Sequence, residues 1–381
     1  MSTLFWLFFD FFTMNRSLPP YNLFLTPHDI ICIIPAMTKI VLGIESSCDE
    51  TACALVNDEH KVLSSVVWSQ YDEHRRFGGV VPEIAARAHL EKCDILIREA
   101  LDKAHKTFSD IDAVAVAGGP GLIGGVLVGV MTAKAIALCH NLPFIAVNHL
   151  EGHALTVRLS NPVQFPYLLL LTSGGHCQIL IVHGVGNYEK LGGTIDDSAG
   201  EAFDKVAKML DIGYPGGPNL EKRANLGNQK KYAFPIPMRG RQGCDFSFSG
   251  LKTAVRVAIE KNAPLSDQDK NDMCASFQYA VIQQMKDRLT HAIEQFKTKC
   301  PGAQDLVVAG GVAANQSVRA MIQSLADKNE LIFSAPPIGL CTDNGVMIAW
   351  AGLERFRLGL TDTFDFRARP RWPLEELKGA V

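Results

Sequence analysis

One arrangement of strands and helices occurs twice along this chain, and it restricts the fold more than any other feature. From Lys39 onward, IVLGIESS, TACALVN and KVLSSVVWSQ read as three antiparallel strands joined by short turns. A helix follows at PEIAARAHLEKCDILIREALDKA, opened by Pro82. Then come a buried strand, DAVAVAGG, an apolar helix, GVLVGVMTAKAIALCHN, and a further strand, PFIAVN. The order then returns. YLLLLTSGG and HCQILIVHG form a hairpin, YEKLGGT a third strand, and SAGEAFDKVAKML a helix whose Ser198 and Glu201 are spaced for a capping box. The strand DLVVAGG and the helix AANQSVRAMIQSLA complete the second copy. Nearly continuous apolar strands need helices on both faces, so two such units imply a two-lobed α/β fold with a central cleft.

The expected organisation follows from the repeat. Residues 38–165 form the first lobe and 166–342 the second, whose mostly helical insertion runs from about 213 to 301. A helix over 343–365 crosses back to the first lobe, and 366–381 is a tail. Residues 1–37 stand apart. MSTLFWLFFDFFTMN is too short to span a bilayer, is interrupted by Asp10 and lacks a basic leading segment. Met37 directly precedes the first strand, so residues 1–36 read as an extension or a mis-assigned start.

Composition sets limits on partners. Apolar residues make up 47% and charged residues 20%, ordinary values for a globular chain. The net charge of −3 gives no overall basic field, so nucleic-acid binding must use local patches or a partner. Such patches occur at Arg75-Arg76, Lys222-Arg223, Lys230-Lys231, Arg239 with Arg241, and Arg367, Arg369 and Arg371. The ten cysteines include no CxxC pair, which suits a reducing compartment; cytoplasm is expected, with no membrane partner.

Several motifs carry chemistry. The first hairpin turn, Gly43 to Thr51, contains Asp49 and Glu50, two adjacent carboxylates in an apolar setting where each carries a desolvation cost. The second hairpin turn, Thr172-Ser173-Gly174-Gly175-His176, is its counterpart. Together the two turns can hold a nucleotide's phosphates from both sides. Gly118-Gly119 and Gly310-Gly311 both end strands and precede helices, whose N-termini favour anions; tight turning alone also explains them. Asn315 can offer its amide to a ribose or base. His149 and His153 stand at i and i+4, which puts both imidazoles on one helix face, as a metal site or as a surface feature. Glu151 is displaced from the position that HExxH proteases require. Asp343 is either a helix-start carboxylate or a third ligand, and Asp204 is solvent-facing or a ribose contact.

GIESSCDETACALV, GGVVPEIAARAH, NHLEGH, LTSGGH, DDSAGEAFDKVAKMLDIGYPGGPNLEK, FSFSGLKTAV, GGVAAN and CTDNGVMIAWAG together resemble the tRNA N6-adenosine threonylcarbamoyltransferase family, TsaD in bacteria. The resemblance covers residues 38 to about 370. It implies the actin-like ATPase (ASKHA) fold and transfer of threonylcarbamoyl from its adenylate to N6 of the adenosine 3′ of the anticodon in tRNAs reading ANN codons, releasing AMP. It implies one divalent metal ion, Fe(2+) or Zn, on His149, His153 and Asp343. The adenylate would be held by Leu171, Thr172, Ser173, Gly174, Gly175, Asp204, Gly217, Glu221 and Asn315. Glu221 stands where many members have Asp, and Thr172 where many have Val. Asp49 or Glu50 would serve as the base. The expected partners are tRNA, threonylcarbamoyl-adenylate, and TsaB-like and TsaE-like proteins. Three other readings compete: a small-molecule kinase or ATPase of the same fold, a metal-dependent glycoprotease, and a non-catalytic scaffold.

Overall fold

A computed structural model describes residues 38–75, 77, 79–377 and 379. The expectation about residues 1–37 lies outside the described residues, as does Arg76 of the first basic patch. The first lobe runs β1 (Ile40–Glu45), β2 (Glu50–Asn57), β3 (Val62–Ser69), α1 (Tyr71–Arg75), α2 (Pro82–Lys103), β4 (Ala113–Gly119), α3 (Ile123–His140), β5 (Phe144–Asn148) and α4 (His149–Ser160). The second runs β6 (Tyr167–Thr172), β7 (Cys177–Gly184), β8 (Asn187–Gly193), α5 (Ala199–Met209), α6 (Gly216–Ala224), α7 (Ser249–Asn262), α8 (Asp267–Lys299), β9 (Asp305–Ala309), α9 (Gln316–Lys328) and β10 (Ile332–Ser334), before α10 (Gly345–Arg357).

The two sheets are topological copies. The first has the order β3-β2-β1-β4-β5, and the second, read from its other edge, β8-β7-β6-β9-β10. In each, the first three strands are antiparallel and the last two run parallel to the first. The duplicated actin-like α/β reading therefore holds at the level of strand order and direction. The fifth strand of the second sheet, β10, is only three residues long, too short for a period-2 signal. The helix read at MCASFQYAVIQQMKDRLTHAIEQF is longer than its apolar pattern: α8 starts at Asp267, because Ser266 and Asp269 form a reciprocal capping box there. The Ser198 box is only half formed. Ser198 Oγ accepts from Glu201 N at 3.2 Å, but the Glu201 carboxylate pairs with Lys205 at 2.6 Å instead.

Helix α10 follows the second sheet in sequence yet packs against β1, β2 and β4 of the first. Two glycines permit this. A Cβ on Gly43 of β1 would stand 2.3 Å from Ala349 N, and one on Gly345 2.6 Å from the carbonyl carbon of Cys53 in β2. Backbone rests on backbone, so the residues just before α10 lie over the β1–β2 turn. The helix ends at Arg357, well short of residue 365. The chain after it is not a loose tail among the described residues. Phe366 and Trp372 join the core between the first sheet and α2–α3, and Leu374 is buried beside β6 and β7. Helix α3 is long and apolar enough, by length and composition, to cross a membrane; it packs on β4 and α2, and the glycines of its inner face meet the Ser46–Ser47 turn.

Candidate metal centre and nucleotide cleft

The end of β5 sets the geometry of the histidine pair. Asn148 caps α4, its Oδ1 accepting from Leu150 N at 2.9 Å, while its Nδ2 donates to the Trp372 carbonyl at 2.8 Å. His149 is thus the first helical residue and His153 lies one turn on, its ring 4.9 Å from the first and perpendicular to it. The third group arrives from the turn before α10. Asn344 caps that helix through Met347 N at 2.9 Å, which frees Asp343 from a capping role. Asp343 Oδ1 lies 3.0 Å from His153 Nε2 and 3.5 Å from His149 Nε2. One donor atom from each of the three residues falls within 4.8 Å of the others.

These donors fit a divalent cation. Glu45 ends β1 wholly buried, and its Oε2 lies 2.9 Å from His149 Nδ1. A carboxylate only accepts, so Nδ1 carries the hydrogen and Nε2 keeps its lone pair facing Asp343. Glu45 Oε1 accepts from Ser47 N at 2.6 Å, and Ser47 Oγ lies 3.0 Å from the same imidazole nitrogen. A carboxylate–imidazole pair behind two convergent nitrogens and a carboxylate oxygen is the donor set expected for Fe(II) or Zn. Replacing Glu45 by Gln releases the His149 tautomer and weakens metal affinity about 10- to 100-fold, measured by competition with a chelating dye. Unchanged affinity would show that Glu45 only fills space.

Without a cation, a proton takes its place. Burial opposes charge on His149, but Asp343 and Glu45 outweigh it and raise its pKa to about 9. Burial raises the Asp343 carboxyl, yet the neighbouring His149 and His153 hold it well below the usual carboxylate range. His176, on the facing turn, is pushed down to about 4 by burial and by those two imidazoles. A cation must displace the His149 proton, which is bound below pH 9 and lost as pH rises through it. Metal affinity therefore falls about tenfold per pH unit below 9 through His149 alone and levels off above it, as read from metal titrations across that range. A flat profile below pH 9 would contradict this protonation state.

Beside the cluster lies a cavity of about 520 Å³ between the lobes. Of the residues expected at the site, it brings together Glu50, Gly174, Asp204, Gly217, Glu221, Asn315 and Asp343. Glu50 is pushed up to about 9 by burial and by the charges of Asp49 and Asp343. Asp49 does not line the cavity. Leu171 and Thr172 are strand residues of β6 with fully buried side chains, so only the backbone that follows them can face a ligand. That turn is tied to the start of α5: Ser198 Oγ donates to the Gly174 carbonyl, and Glu201 N donates to it at 3.1 Å. Gly175 is exposed at the turn, and Ser173 N closes it on the His176 carbonyl at 2.7 Å.

Asp204 is not solvent-facing. Its Oδ1 accepts from Gly216 N at 3.0 Å at the start of α6, and burial raises its carboxyl pKa. Glu221 Oε1 accepts from Gln316 N at 2.7 Å, joining α6 to the start of α9. Asn315 spends most of its amide inside the protein: Oδ1 caps α9 through Val318 N at 3.0 Å, and Nδ2 donates to Gln278 at 2.9 Å. The glycine pairs of the two lobes differ. Gly311 lines the cavity, and Gly310 lies against the Thr172 carbonyl. Gly118 and Gly119 are instead covered by the C-terminal segment, where Arg369 N donates to Gly118 O at 2.9 Å. Tight turning explains that first pair.

The sequence motifs gave Glu45 and His176 no role, although Glu45 ends the strand that leads into the first turn and His176 closes the second. A glutamate closing the otherwise apolar strand IVLGIE was the available signal, since a buried carboxylate demands a partner.

Comparisons with known proteins agree with this architecture. Residues 61–350 match the family model for tRNA N6-adenosine threonylcarbamoyltransferase. A relative of that name from Paramagnetospirillum magneticum is 60% identical over 337 residues, covering 88% of this chain and 97% of the relative. Another from Rhodospirillum rubrum is 58% identical over 342 residues, covering 88% and 94%. Among solved structures, T. kodakarensis HypF superposes with a TM-score of 0.56 at 16% identity, over 85% of this chain and 48% of its own. Component A of the Acidaminococcus fermentans (R)-2-hydroxyglutaryl-CoA dehydratase superposes with a TM-score of 0.51 at 15% identity, over 83% and 98%. The two structures establish the fold alone.

Proposed function

The chain belongs to the tRNA N6-adenosine threonylcarbamoyltransferase family, and on that premise we propose how its cleft carries out the reaction. The enzyme is an acyltransferase that places a threonylcarbamoyl group on N6 of a tRNA adenosine. The donor in this reading is threonylcarbamoyl-adenylate, AMP is the leaving group, and the acceptor is the adenosine 3′ of the anticodon in tRNAs reading ANN codons. The observation that carries the reading is the convergence of His149, His153 and Asp343 beside an interlobe cavity that also holds Glu50.

His149, His153 and Asp343 hold one divalent cation, Fe(2+) with Zn as the alternative, and Glu45 orients the first of them. When bound, that ion supplies Lewis acidity to the donor's carbonyl or phosphate oxygens. The turn of Ser173, Gly174 and Gly175, of which Gly174 lines the cavity together with Gly311, receives the adenylate phosphate, while Asp204, Gly217, Glu221 and Asn315 border the nucleoside. Leu171 and Thr172 support that turn from the strand below. Glu50 takes the proton from N6 as the carbon–nitrogen bond forms. Burial and the charges of Asp49 and Asp343 raise the Glu50 carboxyl, and a cation held by His149, His153 and Asp343 would offset the Asp343 charge. Asp49 contributes through its charge on Glu50.

The competing readings fare worse. A glycoprotease needs a glutamate at the metal, but Glu151 is buried and committed elsewhere: it accepts from Gly186 N at 2.8 Å and Tyr188 Oη at 3.0 Å, and pairs with Arg355 at 3.1 Å. A scaffold has no use for a desolvated His–His–Asp cluster.

The apolar outer stripe of α3, with Ile123, Leu127, Met131 and Leu138 each about half exposed or more, supports docking of a TsaB-like protein there. Leu127→Asp with Met131→Asp then weakens that association at least about tenfold, by calorimetry, with the melting temperature unchanged; intact affinity argues for another surface. The TsaE-like partner and the cytoplasmic setting rest on the family resemblance. To test the activity, the protein is incubated with its partners, tRNA, threonine, bicarbonate, ATP and the adenylate-forming enzyme, and the tRNA is digested for nucleoside mass spectrometry. Threonylcarbamoyl-adenosine supports the reading; phosphorylated metabolites with unmodified tRNA would support a kinase.

A further inference from the structure

Two tyrosines meet across the mouth of the cleft, one from each lobe. Tyr71 opens α1 one residue beyond β3 of the first lobe, and Tyr214 lies in the loop between α5 and α6 of the second. Their rings are stacked, 5.4 Å between centroids and 13° from parallel. A single hydrogen bond joins them: Tyr71 Oη donates to the Tyr214 carbonyl at 3.2 Å. Both line the cavity with Glu50 and Asp204. Tyr214 is 46% exposed despite its stacked neighbour. The other aromatic in the cavity wall, Phe203, is committed to the core of the second lobe and presents little face to a ligand.

A purine taken from a nucleic-acid loop needs a flat surface to replace the stacking it leaves behind. Tyr71 and Tyr214 are the aromatic faces at this entrance that can provide it. We propose that they form the slot that receives the acceptor nucleobase, the rings parting so that the adenine stacks on Tyr214 and its 6-amino edge is directed to Glu50. The slot rests on the acyltransferase reading and adds the means by which the acceptor is recognised. Parting the rings breaks their stack, which the incoming base replaces, and one exposed hydrogen bond between the two residues, a kind that contributes little. Tyr214 and Glu50 line the same cavity, and burial with the charges of Asp49, Asp204 and Glu50 raises the phenol's pKa.

The test uses an anticodon stem-loop carrying 2-aminopurine at the target position. That base lacks the 6-amino group, so it binds without reacting, and its fluorescence is quenched by stacking. Wild-type protein and Tyr214→Phe quench it; Tyr214→Ala and Tyr214→Leu do not. In transfer assays with the natural adenosine, the two non-aromatic variants raise KM for the stem-loop about 10- to 100-fold, with a smaller change in kcat. Tyr71→Phe keeps the ring and removes the hydrogen bond to the Tyr214 carbonyl, so quenching and KM change far less than in Tyr214→Ala. Equal quenching in wild type and Tyr214→Ala overturns the slot, as does damage from Tyr71→Phe matching that of Tyr214→Ala, which marks the pair as a latch. A wild-type protein that transfers normally without quenching 2-aminopurine also overturns it. One that never modifies the natural stem-loop sinks the acyltransferase reading instead.

Discussion

Asp343→Ala leaves a folded protein that retains no stoichiometric divalent metal and transfers at least about a thousandfold more slowly. The size follows from the several kcal/mol of charge stabilisation that a bound cation contributes to acyl transfer. Asp343 is the one carboxylate among the three candidate donors, and it approaches both imidazoles. In the proposed centre its removal takes away one of the three ligands and leaves His149 balanced by Glu45. Elemental analysis of purified protein reads the metal content, and Asp343→Asn keeps the shape of the side chain to separate loss of charge from loss of packing. Normal metal content in both variants would place the cation elsewhere.

Glu50→Gln slows transfer by about 100- to 10,000-fold, the range for losing a general base, while donor affinity changes less than about threefold. Glu50 lines the cavity, and Asp49 does not. Asp49→Asn therefore has the smaller effect, through the charge it places on its neighbour. Single-turnover rates with preformed adenylate check the ranking. A wild-type rate in Glu50→Gln removes this carboxyl from the chemistry, and a slower Asp49→Asn than Glu50→Gln would exchange the two roles.

Much of this was legible in the chain. The repeated order of three strands, helix, strand and Gly-Gly reports two sheets because continuous apolar strands can only be covered on both faces. The i, i+4 spacing of His149 and His153 reports a shared helix face. Neither pattern carries information about which distant segment arrives. Asp343 reaches the histidines because Gly43 and Gly345 let α10 lie directly on β1 and β2, a contact between residues about 300 positions apart. The same blindness hid the fate of the two glycine turns. Gly118-Gly119 and Gly310-Gly311 are alike in sequence, yet a segment near the C-terminus covers one and the other opens on the cavity. Glu45 was passed over because Asp49 and Glu50 drew attention to the turn, whereas the carboxylate that orients His149 stands at the strand end before it. Tyr71 and Tyr214 had no signal at all, since a stack between lobes has no sequence period.

The most direct measurement is a single turnover with isolated threonylcarbamoyl-adenylate, tRNA and any required partner proteins, in which AMP and modified adenosine are counted before and after the metal is stripped. Metal-loaded protein should release one AMP for each threonylcarbamoyl-adenosine formed, and stripped protein should lose transfer until the metal is restored. Full transfer by metal-free protein, or by Asp343→Ala, would contradict the assignment of His149, His153 and Asp343 as the centre on which the reaction depends.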